Sequence, residues 1–418
     1  MKKILRKAFL EHVAQTSPSP MLVEVERAEG SYFYTPNGDR FVDLVSGVSV
    51  SNVGHCNPAV VEAVQRQAAQ YMHVMVYGEM VETPQVEYAT LLAELLPDPI
   101  STTYFVSSGA EAIEGAMKLV KRYTGRGEII SMRRSYHGST QGAMALMGSP
   151  EGDEWTQAFQ PIVGGCRSIE YNDFEALTQI TELTAGVVCE VVQGEAGVRL
   201  PADGYLEALR KRCSEVGALL VFDEIQTGMG RTGEIFASVK YGVTPDVICL
   251  AKAFGGGMPL GAFCSSAEIM GTLQHSPVLG HITTFGGHPV SCAAGLAATK
   301  FLIDNGLIEE VETKGARFES LISAHSTVRE IRRSGLLMAI ELGECERLYR
   351  LMEIFKEEGV MSDWFLFCDT AFRISPPLTM TMAEIDDCCE IVLRSLDRIA
   401  EEFSENRPCQ PSDSHPHK

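Results

Sequence analysis

Short apolar runs alternate with amphipathic helical patterns along the middle of the chain. Four of these runs predict strands, at residues 128–132, 185–192, 217–225 and 245–251. Each run is mostly apolar without alternation, which is typical of strands buried on both faces of a parallel sheet. Helical patterns at 109–123 and 203–217 lie between the strands. Strands that alternate with helices predict an α/β fold with a doubly wound, mostly parallel sheet.

The two ends of the chain have a different pattern. Residues 23–47 alternate polar and apolar side chains around the turn sequence PNGD, which predicts a β-hairpin. Long amphipathic helices and a short strand fill the last quarter of the chain. We therefore predict a large domain at 51–303 and a smaller α+β domain at 304–405. The N-terminal segment 1–50 is expected to join the smaller domain, because short antiparallel strands do not belong in a parallel sheet. Residues 406–418 predict a flexible tail.

The composition is that of a globular protein, because 45% of the 418 residues are apolar and 22% are charged. The formal net charge of -20 argues against nucleic-acid binding, which requires clustered Lys and Arg. No apolar stretch reaches the ~18 residues of a membrane span. The N-terminus predicts an amphipathic helix rather than an export signal. We therefore expect a cytoplasmic protein with small-molecule ligands and with neither nucleic-acid nor membrane partners.

The twelve cysteines do not change this interpretation. They include no CxxC pair, and no zinc-ligand spacing can be assembled from them. We therefore expect free thiols, as in a reducing cytoplasm, and no bound metal.

Polar residues stand where the parallel strands of the predicted sheet end. Glu190 and Asp223 lie at the ends of two apolar runs, and Lys252 follows a third and precedes three glycines at 255–257. Ligands bind beyond the carboxyl ends of such strands, so we expect one crevice to hold all three side chains. Small residues at 107–110 open a predicted helix, whose free amides can bind phosphate. A phosphate site, a carboxylate and a buried lysine together favour pyridoxal phosphate, whose aldehyde forms a Schiff base with an amine.

A competing motif, GMGRTG at 228–233, matches the GxGxxG pattern of dinucleotide-binding proteins. In that fold a helix begins within the motif, and an acidic residue ends a strand about twenty residues later. Here the following segment 234–242 lacks helical periodicity, and Asp246 begins its strand instead of ending it. Nicotinamide or flavin binding is therefore the weaker hypothesis.

Seven motifs occur in order between residues 54 and 294: GHCNPAV (54–60), SSGAEAIEGAMKLVKRYTGR (107–126), SYHGST (135–140), EVVQGEAGV (190–198), VFDEIQTGMGRTG (221–233), LAKAFGGGMPLGA (250–262) and TTFGGHPVSCAA (283–294). In these motifs the chain resembles the class III pyridoxal-phosphate-dependent aminotransferases, such as the acetylornithine, ornithine and 4-aminobutyrate aminotransferases. The resemblance implies the aspartate aminotransferase-like fold (fold type I), in which the large domain binds the cofactor.

The resemblance also implies a role for individual residues. Lys252 would carry the cofactor and later move a proton, Asp223 would pair with the ring nitrogen, and Gln226 would contact the phenolic oxygen. The other cofactor-binding residues would be Ser108, Gly109, Ala110, Tyr136, His137, Glu190 and, from the neighbouring subunit, Thr284. The active unit would therefore be a homodimer with shared active sites. His137 is expected to orient a loop rather than to act as a base, because Lys252 fills that role.

Substrate selection is expected to depend on four residues. In members that use 2-oxoglutarate, an arginine before PPL binds the α-carboxylate and the glutamate of QGE pairs with it; here these are Arg373 and Glu195. Such a pair lets one pocket accept carboxylates and apolar groups, although a purely structural ion pair is the alternative. Ser139 replaces an arginine that commonly holds a second carboxylate, and Val48 replaces the tyrosine of ornithine-specific members. Unless another basic residue serves, the donor is expected to have one carboxylate or none.

The resulting prediction is an aminotransferase with a ping-pong mechanism. It would move an amino group from an ω-amino acid or amine to a 2-oxo acid such as 2-oxoglutarate or pyruvate. A decarboxylase, racemase or aminomutase of the same fold is the nearest alternative, because these enzymes share Lys252 and Asp223. A catalytically idle, cofactor-bound regulatory protein is the alternative outside enzymes, and the intact Lys252, Asp223 and phosphate loop argue against it.

Overall fold

The structure, a computed structural model, describes residues 2–147 and 154–404. The tail predicted at 406–418 lies outside the described residues. The first elements are α1 (Lys2–His12), β1 (Arg27–Glu29), β2 (Tyr32–Tyr34), β3 (Arg40–Asp43), α2 (Ser46–Ser49), α3 (Pro58–Gln70) and α4 (Thr83–Leu95). Strands β2 and β3 form the predicted hairpin, in which Tyr34 pairs with Arg40.

A seven-stranded sheet forms the centre of the molecule. Its strands are β4 (Thr102–Val106), β5 (Glu128–Met132), β6 (Cys166–Ile169), β7 (Thr184–Glu190), β8 (Leu219–Asp223), β9 (Val247–Leu250) and β10 (Gly261–Ser265). The order is β4-β10-β9-β8-β7-β5-β6, in which β10 is antiparallel to both β4 and β9 and the other neighbouring pairs are parallel. The predicted mostly parallel sheet is therefore confirmed.

Helices cover both faces of this sheet. They are α5 (Gly109–Thr124), α6 (Gln141–Met144), α7 (Glu154–Gln157), α8 (Tyr205–Val216), α9 (Ala237–Lys240), α10 (Ala267–Gly271) and α11 (Pro289–Asp304), with 3-10 turns at Ala176–Gln179, Lys252–Gly255 and Thr272–Gln274. In β8, Val221 belongs to the apolar cluster that includes Val120 of α5, whereas Leu220 belongs to the cluster that includes Leu209 of α8. Both faces of the strand are buried, which explains its continuous apolar sequence.

The C-terminal part of the chain is smaller and combines an antiparallel sheet with long helices. Its elements are α12 (Leu307–Ile322), β11 (Glu330–Ser334), β12 (Leu337–Glu341), α13 (Cys345–Glu358), β13 (Val360–Met361), β14 (Trp364–Phe365), β15 (Cys368–Ile374) and α14 (Met382–Ser404). The sheet order is β11-β12-β15-β14. This arrangement confirms the smaller α+β unit of the predicted fold. Strand β13 pairs with β3, so the N-terminal hairpin lies beside this part of the chain.

Three further observations concern membrane spans, cysteines and metal sites in the described residues. Within them, no helix is long and apolar enough to span a membrane. The cysteines at the described positions are free thiols, as expected. Nowhere in residues 2–147 and 154–404 do three or more His, Cys, Asp or Glu side chains form a cluster that could hold a metal ion.

Candidate active site

A cavity of about 420 Å³ opens where the central parallel strands end. Glu190 and Asp223 are the last residues of β7 and β8 and lie opposite each other in the strand register. Lys252 begins the turn that follows β9. All three line the cavity, whose volume is within the roughly 300–1,000 Å³ that is typical of small-molecule sites. The sheet therefore brings the three side chains together, as predicted from their positions at the ends of strands in the sequence.

Lys252 is held in an unusual backbone conformation. Its φ of 53° lies in the left-handed region, which side chains other than glycine rarely adopt. The turn ends at Gly256, whose φ is 61° and where a Cβ would lie 2.6 Å from the carbonyl oxygen of Ala294 in α11. Glycine is thus required for the close approach of this helix. Burial lowers the pKa of Lys252, and Arg373 lowers it further, whereas Glu195 and Asp223 raise it.

Asp223 shares a buried hydrogen bond with His137. The Oδ2 of Asp223 lies 2.7 Å from Nδ1 of His137, and its Oδ1 accepts a hydrogen bond from the amide of Ile225 at 3.0 Å. Burial is the largest influence on the pKa of His137 and lowers it, but the hydrogen bond and charge of Asp223 and the charge of Glu190 raise it above its ordinary value overall. The hydrogen bond and charge of Asp223 therefore stabilise the protonated form of His137.

Glu190 joins the loop that carries Tyr136 to the end of β7. Its two oxygens accept hydrogen bonds from the amides of Tyr136 and Gly194, both at 2.9 Å. Burial raises the pKa of Glu190 to about 7, the charge of His137 lowers it, and the charge of Asp223 adds to the rise. The carboxyl group thus fixes two loops at one side of the cavity.

The N-terminus of α5 closes one end of the cavity. Ser108 caps this helix, because its Oγ accepts the amide hydrogen of Glu111 at 3.2 Å, and the amide of Ser107 donates to the Glu111 carboxylate at 2.6 Å. Gly109 and Ala110 are the first helical residues, and amides at these positions have no partner within a helix. Both residues line the cavity, so their amides and the helix dipole can hold a phosphate group.

The residues present fit pyridoxal phosphate. The amide nitrogen Nε2 of Gln226, a residue that lines the cavity, is buried and has no hydrogen-bond partner among the described residues. A Cβ at Gly138 would lie 2.6 Å from Cβ of Ala110, so the Tyr136 loop passes directly against the start of α5. The cavity thus combines a phosphate cradle, a lysine and a carboxylate, which are the three groups that the cofactor needs.

Glu195 and Arg373 form the ion pair that the sequence predicted. The Nη2 of Arg373 lies 2.9 and 3.1 Å from the two oxygens of Glu195. Glu195 lines the cavity, and Arg373 lies behind it with only 1% of its surface exposed. A carboxyl group of Asp363 lies on the other side of the guanidinium, 3.0 Å from Nε. The carboxylates raise the pKa of Arg373 above its ordinary value although burial, the largest influence, lowers it.

Three other predicted positions differ in their relation to the cavity. Ser139 lines it, and the Ser139 hydroxyl lies 3.3 Å from the hydroxyl of Tyr136. Val48 does not belong to the lining, and Val50 occupies the wall instead. Thr284 lies in a separate depression near Ser107, outside the main cavity of its own chain.

Two features of the site were missed by the sequence analysis. His137 was expected to orient a loop, but its pairing with Asp223 was not predicted, and Asp363 was not among the predicted site residues. The position of His137 two residues after a buried serine carried no signal for that pairing. Asp363 and Arg373 are ten residues apart and meet only because β14 folds back onto β15 with a bulge.

Comparisons with known proteins agree with this geometry. Residues 13–396 match the family described as Aminotransferase class-III. The chain is 41% identical to the acetylornithine aminotransferase of Methanopyrus kandleri over 76% of its own length and 80% of that protein. It is 36% identical to the acetylornithine aminotransferase of Methanosarcina mazei over 91% of its own length and 93% of that protein.

Solved structures of transaminases share the fold. The ornithine aminotransferase of Toxoplasma gondii matches with a TM-score of 0.87 and 27% identity, over 96% of each chain. An (S)-enantioselective omega-transaminase from Thermomicrobium roseum matches with a TM-score of 0.85 and 28% identity, over 95% of this chain and 98% of that one. The resemblance drawn from the motifs is thus confirmed: the chain belongs to the class III aminotransferase family, whose members are pyridoxal-phosphate-dependent transaminases.

Proposed function

We propose that this transaminase moves an amino group from an amine or ω-amino acid to a 2-oxo acid such as 2-oxoglutarate or pyruvate. The observation that carries the proposal is the cavity itself, which combines Lys252 and Asp223 at the strand ends with Glu195 in its wall and Arg373 paired to Glu195 behind that wall. When bound, pyridoxal phosphate supplies an aldehyde that takes up the amino group and a ring that accepts electrons. The protein residues position it and move the protons.

The cofactor would be held at three points. The amides of Gly109 and Ala110, next to the Ser108 cap, would bind the phosphate at the N-terminus of α5. Asp223 would pair with the ring nitrogen, and His137 would support it, because its Nδ1 lies 2.7 Å from Oδ2 of Asp223. The unpartnered Nε2 of Gln226 would donate a hydrogen bond to the phenolic oxygen. Tyr136 would lie on the ring face and Glu190 would fix its loop through the Tyr136 amide.

Lys252 would act as both the anchor and the base. Burial lowers its pKa, so the neutral amine required for nucleophilic attack is more accessible than in a solvated lysine. Once the substrate amine has replaced Lys252 at the cofactor, the free amine of Lys252 can remove a proton from the substrate carbon and deliver it to the cofactor carbon. No other lysine or arginine is among the residues that line the described cavity.

Arg373 and Glu195 would give the cavity two states. With the pair intact, the wall presents a neutralised arginine and accepts an uncharged or apolar group. When Glu195 withdraws, Arg373 can bind the carboxylate of a 2-oxo acid through charge-assisted hydrogen bonds. A single cavity could then serve both half-reactions of a ping-pong cycle.

The donor is proposed to lack a second carboxylate. The basis is Ser139, which has no charge with which to bind one. An acetylornithine-type donor is the second candidate, because two relatives are named acetylornithine aminotransferase. Ser139 argues against that candidate, because a hydroxyl cannot form the bidentate contact of a guanidinium.

We also propose a homodimer in which the partner subunit's Thr284 reaches the phosphate site. Support comes from four apolar side chains that are exposed in the segment 278–285 around Thr284, namely Val278, Leu279, Ile282 and Phe285, since exposed apolar side chains are typical of interaction sites. A cytoplasmic location is the matching proposal, because free cysteines suit a reducing compartment.

The visible absorbance of the purified protein loaded with pyridoxal phosphate tests the proposal. Wild type should be yellow, and carboxylate-poor amines should bleach it without an acceptor, whereas Lys252→Ala should not respond. Lys300→Ala is the matched control, because Lys300 is exposed on α11. A colourless wild type, or a Lys252→Ala protein that responds like wild type, would contradict the assignment of Lys252. Bleaching by N-acetylornithine but not by simple amines would favour the second candidate.

A further inference from the structure

Arg373 faces two carboxylates rather than one. Its Nη2 bonds both oxygens of Glu195, and its Nε lies 3.0 Å from Oδ1 of Asp363. The guanidinium carbon lies 4.6 Å from the centroid of the Phe365 ring. Its Nη1 is buried and has no hydrogen-bond partner among the described residues. One positive and two negative groups therefore meet where Glu195 lines the cavity and Arg373 lies behind it, and Nη1 of Arg373 has no acceptor among the described residues.

The two carboxylates are held in different ways. Asp363 is tied to Arg373 twice, because its backbone carbonyl also accepts the amide hydrogen of Arg373 at 2.9 Å. Glu195 lies in the loop after β7 and lines the cavity, and the amide of Leu366 donates to its Oε2 at 3.2 Å. A ligand that enters the cavity therefore meets Glu195, whereas Asp363 stays in place behind the guanidinium.

We propose that Asp363 is a specificity-determining residue, a permanent second counter-charge of Arg373 that disfavours carboxylates at this arginine and favours donors that place an uncharged group there. The inference rests on the proposed function, in which Arg373 binds the carboxylate of the acceptor. The role of Asp363 would also explain why an amine without a carboxylate could bind beside Arg373 in competition with carboxylate ligands.

The physical basis is the number of charges around one guanidinium. A ligand carboxylate that displaces Glu195 is the third negative group near Arg373, because the displaced glutamate remains in the adjoining loop. Repulsion between these groups is strong in a buried site, where the effective dielectric constant is lower than in water. The pKa of Asp363 is already raised to about 6, mainly by burial and also by the charge of Glu195, although Arg373 lowers it. The charge of Glu195 therefore already disfavours the charged form of Asp363 before any ligand arrives.

Binding of glutarate to the holoenzyme, measured by calorimetry, tests the proposal without turnover. In Asp363→Asn the side-chain oxygen that faces Nε is kept and the charge is removed. We expect this variant to bind glutarate about tenfold more tightly than wild type, which corresponds to ~1.4 kcal/mol. Asp369→Asn, an exposed aspartate in the same hairpin, is the matched control and should bind like wild type. Arg373→Lys should bind weakly, which locates the glutarate at this wall.

Three results would overturn the proposal. Equal or weaker glutarate binding by Asp363→Asn would show that Asp363 only positions Arg373. Unchanged binding by Arg373→Lys would place the glutarate elsewhere. Failure of both wild type and Asp363→Asn to bind would show that carboxylates do not use this wall.

A second measurement separates this inference from the proposed function. The ratio of the bleaching rate with L-glutamate to that with pentylamine should rise in Asp363→Asn and stay constant in Asp369→Asn. A lower or unchanged ratio in Asp363→Asn would contradict the role of Asp363. If no donor bleaches even wild type, the proposed function fails, whereas the glutarate measurement still decides what Asp363 does.

Discussion

His137 and Asp223 share a hydrogen bond of 2.7 Å at the end of β8, and both side chains are buried. The His137 Nε2 has no partner among the described residues, so Asp223 is the partner that fixes the ring. Because the second oxygen of Asp223 is occupied by the amide of Ile225, the carboxylate has a single defined orientation. A residue assigned from the sequence to loop orientation thus also controls the carboxylate that the proposed cofactor needs.

The first prediction concerns this pair. His137→Phe removes the donor and leaves the buried Asp223 short of one hydrogen bond, which costs about 1–3 kcal/mol. We expect a lower free energy of unfolding in urea and weaker retention of pyridoxal phosphate, measured by visible absorbance. His137→Asn keeps a donor at a similar distance and should recover much of both losses. Equal losses in the two variants would show that ring packing, not the hydrogen bond, is what matters.

The second prediction is a pH dependence caused by Glu190. Burial raises its pKa from the ordinary value of 4.5 to about 7, so the folded protein binds the proton more tightly than the unfolded chain. The stabilisation is complete below pH 4.5 and is lost as the pH rises to about 7, with a slope of up to ~1.4 kcal/mol per pH unit. Urea unfolding of the cofactor-free protein across this window should show the decline.

Glu190→Gln should remove that slope from the pH profile. Gln has only one acceptor oxygen for the amides of Tyr136 and Gly194, so we expect this variant to be less stable than wild type at low pH. Glu87→Gln, on the exposed side of α4, is the control that should keep the wild-type profile. A slope that persists in Glu190→Gln would assign the pH dependence to another group.

The central sheet could be predicted because a single physical cause, burial of both strand faces, explains the apolar sequences of its strands. The strand β8 is apolar at 219–222 and ends at Asp223, since both faces of the strand are buried and its carboxyl end opens on the cavity. The same reasoning placed Lys252 after β9. Strand β10 was not among the predicted strands, and its antiparallel direction could not be predicted either, because a buried apolar run carries no information about strand direction.

Local backbone geometry limited the prediction elsewhere. Residues 46–49 have four consecutive positive φ values, 49°, 64°, 63° and 63°, although only Gly47 favours that region. Asp43 stabilises the entry to this turn by accepting the amide hydrogens of Val45 and Ser46. No sequence pattern predicts a left-handed turn through Val48, and the residue of this segment that lines the cavity is Val50.

The third prediction concerns substrate range. Ser139→Arg would place a guanidinium in the lining of the cavity. Among the described lining residues, Lys252 is the one lysine and there is no arginine. We expect kcat/KM for a donor with a second, distal carboxylate, such as N-acetylornithine, to rise about tenfold or more relative to pentylamine. Gln141→Arg adds the same charge at an exposed position outside the lining and should leave the ratio unchanged. An equal rise in both variants would indicate general electrostatic attraction rather than a specific contact.

The fourth prediction concerns the approach of the Tyr136 loop to α5. Gly138 has a φ of 120°, and a Cβ there would lie 2.6 Å from Cβ of Ala110, next to the amides proposed to bind phosphate. Gly138→Ala therefore adds backbone strain of ~1–3 kcal/mol and pushes the loop away from the helix. We expect a markedly higher dissociation constant for pyridoxal phosphate, measured by visible titration, with a smaller loss of stability in urea. Gly164→Ala, where a Cβ meets nothing within 4 Å, should bind the cofactor like wild type. Normal cofactor affinity in Gly138→Ala would mean that the contact between this loop and α5 does not shape the phosphate site.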